Sequence, residues 1–400
     1  MKQTAFLIEL FLKGCKEMGK YILVTAEKFG YGPIITCLNV VKVLKQKLDK
    51  KTKLIFLGTS IAKEQAISSK LFDEVIECKT YNYHDLSNFK ELFIHACAIV
   101  SSENQFGAIY AKQLNTKNVY FIDNLVWMWD KITPGLEIVD GYFISETFSS
   151  KENFKKIGQN IKNPIFVGPL RDIDKTHYGS ENMLMINFGG AESFMLEEQI
   201  VKRFYKKILS EILNTVVLNK FDKIFVCGGS GIINAIMENR SLYENVEIKT
   251  LPYKEYLDKL HKCSHIIMSS GLGNFIETVG IGKSIMYIPP VNYSQLLQLE
   301  EYKNLDLGFE ILNWDAFDFY KKIPEFLDEE AGVNMVVENV AKYLKDNSKT
   351  LYNKVIHFID SNKQTNFFSK RNSYISNFSS DAPEIIANYI LKGVNNENTK

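Results

Sequence analysis

Short apolar runs, each closed by a turn and followed by a stretch of helical periodicity, recur along most of this chain. YILVTA at 21–26 opens the series, passes through FGYG, and leads into a helical pattern over 34–48. KLIFLG (53–58), FDEVIEC (72–78), ACAIVSS (96–102), NVYFID (118–123) and GYFIS (141–145) continue it, with 84–96 and the FGAIYAKQL stretch reading as helices. Runs this short and this uniformly apolar must be covered on both faces, which is the condition of a parallel strand between helical layers. The alternation therefore specifies a doubly wound parallel α/β sheet.

The rhythm starts again at NPIFVGPLR. It runs through NMLMINFGG (182–190), a helix at 195–214, KIFVCGG (223–229), VEIKTLPY (246–253), a helix at 254–262, HIIMSS (265–270) and SIMYIPP (284–290). Beyond about residue 310 the pattern is mostly helical and ends in APEIIANYILKGV (382–394). A chain of 400 residues exceeds what one core usually holds, so two domains are expected. The boundaries fall at 1–165 for a first Rossmann-like domain and 166–375 for a second. Residues 376–400 are expected to hold a C-terminal helix, which could pack back on the first domain, and a polar tail. Two such halves place a cleft between parallel sheets, with ligands at the carboxyl ends of the strands.

Charge excludes one class of partner. Lys+Arg 48 against Asp+Glu 47 leaves no basic field for nucleic acid. Arginine occurs only as Arg171, Arg203, Arg240 and Arg371, so each is worth locating. The six cysteines form no C-x-x-C pair and suit a reducing, cytoplasmic setting. His261, Cys263 and His265 straddle a helix end and a strand, so their side chains do not converge and no metal is expected. The apolar stretch 5–12 is too short to span a bilayer and contains Glu9. It is expected to pack on the first strand or, at most, to touch a membrane surface. The polar, aromatic-laced segment 360–381 reads as a loop.

Glycines cluster where the strands end: Gly30 with Gly32, Gly189 with Gly190, Gly228 with Gly229 and Gly231, and Gly271 with Gly273. The last pair lies in SSGLGNFIETVGIGKSIMYIPP (269–290), a strand end, a tight turn and a helix. First-turn N–H groups of such a helix are unsatisfied and carry the positive end of its dipole, so a diphosphate is stabilised there. Glu277 lies about two turns along; a carboxylate there cannot sit against the phosphates without repulsion but could accept from ribose hydroxyls. By spacing alone the same stretch also suits an ordinary βα turn with a solvated glutamate.

In order and spacing, residues 165–310 resemble the donor half of the GT-B glycosyltransferases. The nearest likeness is to the UDP-N-acetylglucosamine transferase family of peptidoglycan lipid synthesis. FVGPLRDID, INFGGAES, LPYKEYLDKLHKCSHIIMSS, SSGLGNFIETVGIGKSIMYIPP and YSQLLQLEEYKNLDLG match its motifs in sequence order. The resemblance implies a UDP-sugar co-substrate, no further cofactor and no metal. It implies Glu277 on the ribose, Tyr253 with Pro252 over the base, and Ser270, Gly271, Gly273 and Asn274 at the diphosphate. Gln295 and Gln298 would address sugar hydroxyls or the diphosphate, and Arg171, Gly189 and Gly190 would complete the phosphate side. Ser294 and Gln298 stand where relatives carry His and Asn, which leaves the sugar open. EKFGYGPII resembles the family's first glycine loop, but its usual histidine falls on Gly32 or Pro33.

A transferase without that histidine needs another base for the acceptor. Asp123 is the first choice, since FIDNLVWMWD sets a carboxylate before Trp127 and Trp129, which could floor a flat acceptor. Glu27 and Glu103 also follow strand ends, whereas His84 and Asp85 diverge on any regular element. Gly30 and Gly32 would border the acceptor. Asp123 as a helix cap and the tryptophans as core fit the same residues. This segment resembles, more faintly, the cytosylglucuronate synthases, implying a uronic acid transferred to cytosine or a related base. The expected activity is an inverting, metal-independent transfer to a small molecule. A nucleotide-sugar hydrolase or epimerase, or a non-catalytic membrane-associated binder, are the alternatives.

Overall fold

The computed structural model describes residues 20–171, 180–215, 219–237, 244–324, 327–361, 367–379 and 381–396. Two compact units result: one runs to residue 171 and is rejoined by the chain from 378, and the other is 172–377.

Seven strands form the sheet of the first unit: β1 (Tyr21–Ala26), β2 (Lys53–Gly58), β3 (Glu74–Glu77), β4 (Ala98–Ser102), β5 (Val119–Asp123), β6 (Gly141–Ser145) and β7 (Pro164–Val167). All pair in parallel, in the order β3-β2-β1-β4-β5-β6-β7. The order reverses between β1 and β4, so the loops leaving those two strands diverge and open a crevice at their carboxyl ends. Tyr21, Leu23, Ile99, Val119, Phe121, Tyr142 and Ile144 line one face and are buried in a single cluster. Full burial of such side chains stabilises by about 1.5–3 kcal/mol each, which is why the strands read as unbroken apolar runs.

The chain's last helix, Ala382–Asn396, belongs to this unit. Its Ala382, Ile386, Ala387, Ile390 and Val394 are buried at helical spacing, and Tyr389 sets its ring edge-on to Tyr120 and Phe143. A Cβ at Gly393 would lie 2.0 Å from Tyr120 Oη, so only glycine lets the helix come this close.

The second unit repeats the plan with six parallel strands: β8 (Met183–Asn187), β9 (Lys223–Cys227), β10 (Val246–Ile248), β11 (His265–Ser269), β12 (Ser284–Ile288) and β13 (Glu310–Ile311). Their order is β10-β9-β8-β11-β12-β13, with the switch between β8 and β11.

Two stretches depart from expectation. Residues 84–96 form two short helices, Tyr83–Ser87 and Lys90–His95, because Leu86, Phe89, Leu92 and Phe93 must all turn inward. The supposed loop at 360–381 contains a helix, Phe368–Ser376, whose Arg371 is 4% exposed. The Arg371 guanidinium donates to Leu307 O (2.8 Å), Lys283 O (2.8 Å) and Gly308 O (3.2 Å), and lies 4.5 Å from the centre of the Phe309 ring. A polar sequence thus buries one planar cation that satisfies three carbonyls at once. Replacing it by methionine strands those carbonyls. Arg371→Met is expected to lower stability by about 2–4 kcal/mol, read as a fall in the urea midpoint.

No helix among the described residues is long and apolar enough to cross a membrane. The 5–12 stretch lies outside the described residues.

Candidate functional site

In the second unit the glycine turns after β8 and β11 meet at the switch point. Gly189 (φ 63°) and Ala191 (φ 53°) are left-handed, which turns the chain sharply after β8. Asn187 Oδ1 accepts from Gly189 N (2.8 Å), and Gly189 O accepts from Gly229 N (2.8 Å). Asn187 Nδ2 donates to Asn274 Oδ1 and to Tyr256 Oη, both at 3.3 Å, and Asn274 Nδ2 donates to Ser269 O (3.0 Å). A Cβ at Gly189 or at Gly271 would sit 3.8 or 3.7 Å from that same Asn274 nitrogen. The amide therefore ties the two turns together.

The Leu272–Val279 helix starts with Gly271 as N-cap, has no side-chain cap and no acidic residue in its first turn. Its first helical bond is Phe275 N to Gly271 O (2.9 Å), so the N–H groups of Leu272, Gly273 and Asn274 have no helical partner. An anion fits there. Farther along the helix, Glu277 is 5% exposed and its Oε1 accepts from Tyr253 Oη (2.8 Å). Tyr253 opens the Tyr253–Lys262 helix behind Pro252 and stacks on Tyr256, with ring centres 6.4 Å apart. Burial, with Glu277 beside it, raises the Tyr256 phenol well above its ordinary pKa, so Tyr256 stays neutral. Glu277, Tyr253, Asn274, Gly271 and Gly189 are thus brought together by contacts within one unit.

Two glutamines line the turn after β11. Gln298 is 3% exposed, and its Oε1 accepts from Tyr302 Oη (3.1 Å), which also donates to Gly271 O (3.3 Å). It buttresses the Gly271 turn from inside. Gln295 Oε1 accepts from Val291 N (2.9 Å), and its backbone oxygen accepts from Ser270 Oγ (3.1 Å). Both residues shape the turn.

In the first unit Gly30 (φ 57°) makes the turn after β1, and Gly32 begins the Gly32–Lys47 helix. Arg171 belongs here. Its guanidinium donates to Gly32 O (2.7 Å), Leu170 O (2.7 Å) and Thr36 Oγ1 (3.0 Å), so it braces the turn after β1. Glu27 is 6% exposed and its Oε1 accepts from Lys28 N (2.9 Å).

Asp123 is a structural anchor. Its Oδ1 accepts from Leu125 N (2.8 Å), its Oδ2 from Tyr142 Oη (2.6 Å), and both from Trp129 Nε1 (3.2 and 3.1 Å). With both oxygens occupied, it has no lone pair directed at a substrate. Trp129 is held by that bond and packs against the core; Trp127 is buried with its ring edge against Phe148 (5.0 Å). Trp127 offers no open floor to a ligand, and Trp129 is half-buried.

Glu103, after β4, emerges in its place. It is left-handed (φ 55°), and its Oε1 accepts from Asn124 N (2.6 Å) and Asn124 Nδ2 (2.8 Å). Burial first, then the neighbouring Asp123 carboxylate, holds its carboxyl well above the usual range. In sequence its only mark was a carboxylate following a strand. Nearby strand ends also bury polar atoms without partners: Ser102 Oγ, Asn104 Nδ2, Trp127 Nε1, Ser145 Oγ and Thr147 Oγ1.

His84 is exposed on a short helix, and His265 lies between Phe221 and Phe358. Among the described residues no group of three or more His, Cys, Asp or Glu side chains is placed to hold a metal ion.

No family model matches the sequence, and no curated protein matches it. Solved structures do resemble it. The glycotransferase of kitacinnamycin superposes with a TM-score of 0.52 at 10% identity, covering 94% of this chain and 99% of that one. The spinosyn forosaminyltransferase superposes with a TM-score of 0.51 at 9% identity, covering 94% and 99%. The fold is accordingly that of the GT-B glycosyltransferases, two parallel-sheet α/β domains.

Proposed function

We propose that the chain is a glycosyltransferase that moves a sugar from a UDP-sugar to a small acceptor bearing an O–H or N–H group. The observation that carries this is the Leu272–Val279 helix: an uncapped, acid-free N-terminus behind Gly271, with buried Glu277 on the same helix. An anion site and a carboxylate two turns apart are what a nucleoside diphosphate requires, the helix end for the diphosphate and the carboxylate for the ribose. Pro252 and Tyr253 flank Glu277 and suit the base, and Ser270, Gly273, Asn274, Gly189 and Gly190 border the diphosphate. The shared fold with a glycotransferase and a forosaminyltransferase supports sugar transfer over other nucleotide chemistry.

Transfer on this reading is inverting and uses no metal, the helix dipole stabilising the leaving diphosphate. Arg171, with Gly30 and Gly32, serves the acceptor side. The resemblance of FGYGP and FIDNLVWMWD to cytosylglucuronate synthases favours a uronic acid as the sugar and cytosine or a related base as acceptor. The absent histidine at Gly32 and Pro33 supports a second reading, hydrolysis of the nucleotide sugar by water.

Melting curves with UDP, GDP and ADP test the proposal. UDP at a hundredfold excess over its Kd is expected to stabilise the protein by about 2.7 kcal/mol. A melting temperature that no nucleotide raises would overturn the assignment. Equal release of free sugar with and without acceptors would favour the hydrolase.

A further inference from the structure

We propose that Glu103 is the catalytic base that takes the proton from the acceptor, a role that rests on the glycosyltransferase reading. Glu103 sits at the end of β4, beside the β1/β4 switch point, where open α/β sheets bind ligands. Its backbone is fixed on both sides: its N–H donates to Ile122 O (3.0 Å), and its carbonyl accepts from Gln105 N (3.0 Å). These bonds hold a non-glycine residue at φ 55°, a conformation that costs about 1–2 kcal/mol and that concentrates at functional sites.

One carboxylate oxygen is anchored and the other is not. Asn124 holds Oε1 by two bonds, and Asn124 Nδ2 is itself positioned by Thr36 Oγ1 (3.3 Å), which accepts from Arg171. Oε2 accepts no hydrogen bond from the described residues. The residues on either side of Glu103, Ser102 and Asn104, are fully buried, yet Ser102 Oγ and Asn104 Nδ2 lack partners. Buried polar groups seldom stay unpaired, so three adjacent residues here present unmet hydrogen-bonding capacity at a ligand position. Asp123, by contrast, is saturated.

The surroundings raise the Glu103 carboxyl well above the ordinary carboxylate range. Burial first, then Asp123 at the end of β5 and, least, Glu27 at the end of β1, disfavour a third negative charge. Tyr142 from β6 and Cys37 from the Gly32–Lys47 helix lie near enough to feel its charge, and Cys37 also feels Arg171. Burial pushes the Cys37 thiol to about 12, so it stays neutral.

In the step itself, Glu103 Oε2 takes the proton of the acceptor O–H or N–H. The freed electron pair forms the bond to the sugar's anomeric carbon. The bond from that carbon to the diphosphate oxygen breaks, its electrons leave with UDP, and the proton on Glu103 returns to solvent.

The test measures UDP release from UDP-glucose, UDP-N-acetylglucosamine and UDP-glucuronic acid, with water alone, 4-methylphenol or 4-nitrophenol as acceptor. Glu103→Gln keeps the size of the side chain and its bonds to Asn124. It is expected to cost about 10²–10⁴-fold in kcat with water and 4-methylphenol, and much less with 4-nitrophenol, which ionises unaided. The rise in melting temperature on adding UDP should be unchanged. Glu27→Gln should move the acidic limb of the kcat/KM profile to lower pH, a shift that a purely structural Glu103 would not give. Activity of Glu103→Gln within about threefold of wild type would overturn the proposal. So would equal losses with both phenols, an unmoved acidic limb, loss of the UDP shift in Glu103→Gln, or a wild type that binds UDP but releases none. A wild type that UDP does not stabilise would instead sink the glycosyltransferase reading.

Discussion

Glu277→Ala is expected to erase most of the stabilisation that UDP confers while the unliganded protein still folds. Glu277 is buried against Tyr253 and lies on the helix whose N-terminus is the anion site. A carboxylate accepting ribose hydroxyls makes charge-assisted bonds worth about 1.5–3 kcal/mol each. Loss of one or two such bonds weakens UDP binding by roughly 10²-fold or more. The folded protein loses the Tyr253 phenol–carboxylate bond, about 1–2 kcal/mol, partly offset because a buried charge is removed. Tyr253→Phe separates the two effects, since it deletes that bond and keeps the carboxylate. Calorimetric titration with UDP checks both: near-normal affinity in Tyr253→Phe with a collapse in Glu277→Ala is the expected pair of results. Equal affinity in Glu277→Ala and wild type would remove the ribose role.

The strands were legible because a parallel strand between helical layers has no polar face to break its pattern. β1, β2, β4, β5 and β6 are buried almost along their whole length, and such runs have few other places to go. The glycine turns were legible for a related reason, since Gly30 and Gly189 take left-handed φ values that few other residues adopt. What escaped the sequence are the partners that decide each polar side chain's job. Nothing in YSQLLQ announces that Gln298 will be met by Tyr302 one turn later and enclosed. Asp123 looked available because Trp129 and Tyr142, six and nineteen residues on, close over it only once β5 and β6 pair. Glu103 looked ordinary because its φ is set by hydrogen bonds to Ile122 and Gln105, which spacing does not encode. Arg371 was the opposite case, a polar stretch made into a packed helix by one buried guanidinium.

Asp123→Ala is expected to destabilise the protein by about 2–4 kcal/mol, because it strands Leu125 N, Trp129 Nε1 and Tyr142 Oη in the interior, less what is recovered by removing a buried carboxyl. Asp123→Asn keeps an acceptor for Leu125 and Trp129 and should cost about 1–2 kcal/mol. The pH dependence carries a definite sign. Burial holds the Asp123 and Glu103 carboxyls above their unfolded values. Between the unfolded and folded pKa values the native state therefore binds more protons. The contribution of these two groups to stability is fully present below the ordinary carboxylate range and falls as pH rises through their raised values. Urea midpoints across that window should decline less steeply in Asp123→Asn than in wild type, since one of the two titrating groups is gone. Transfer activity gives the sharper contrast. An anchor can be replaced by an isosteric amide with little loss of kcat, whereas a base cannot, so Asp123→Asn should stay within about tenfold of wild type at a temperature where it is folded. A deeper loss there, with a wild-type pH dependence of stability, would return the proton to Asp123.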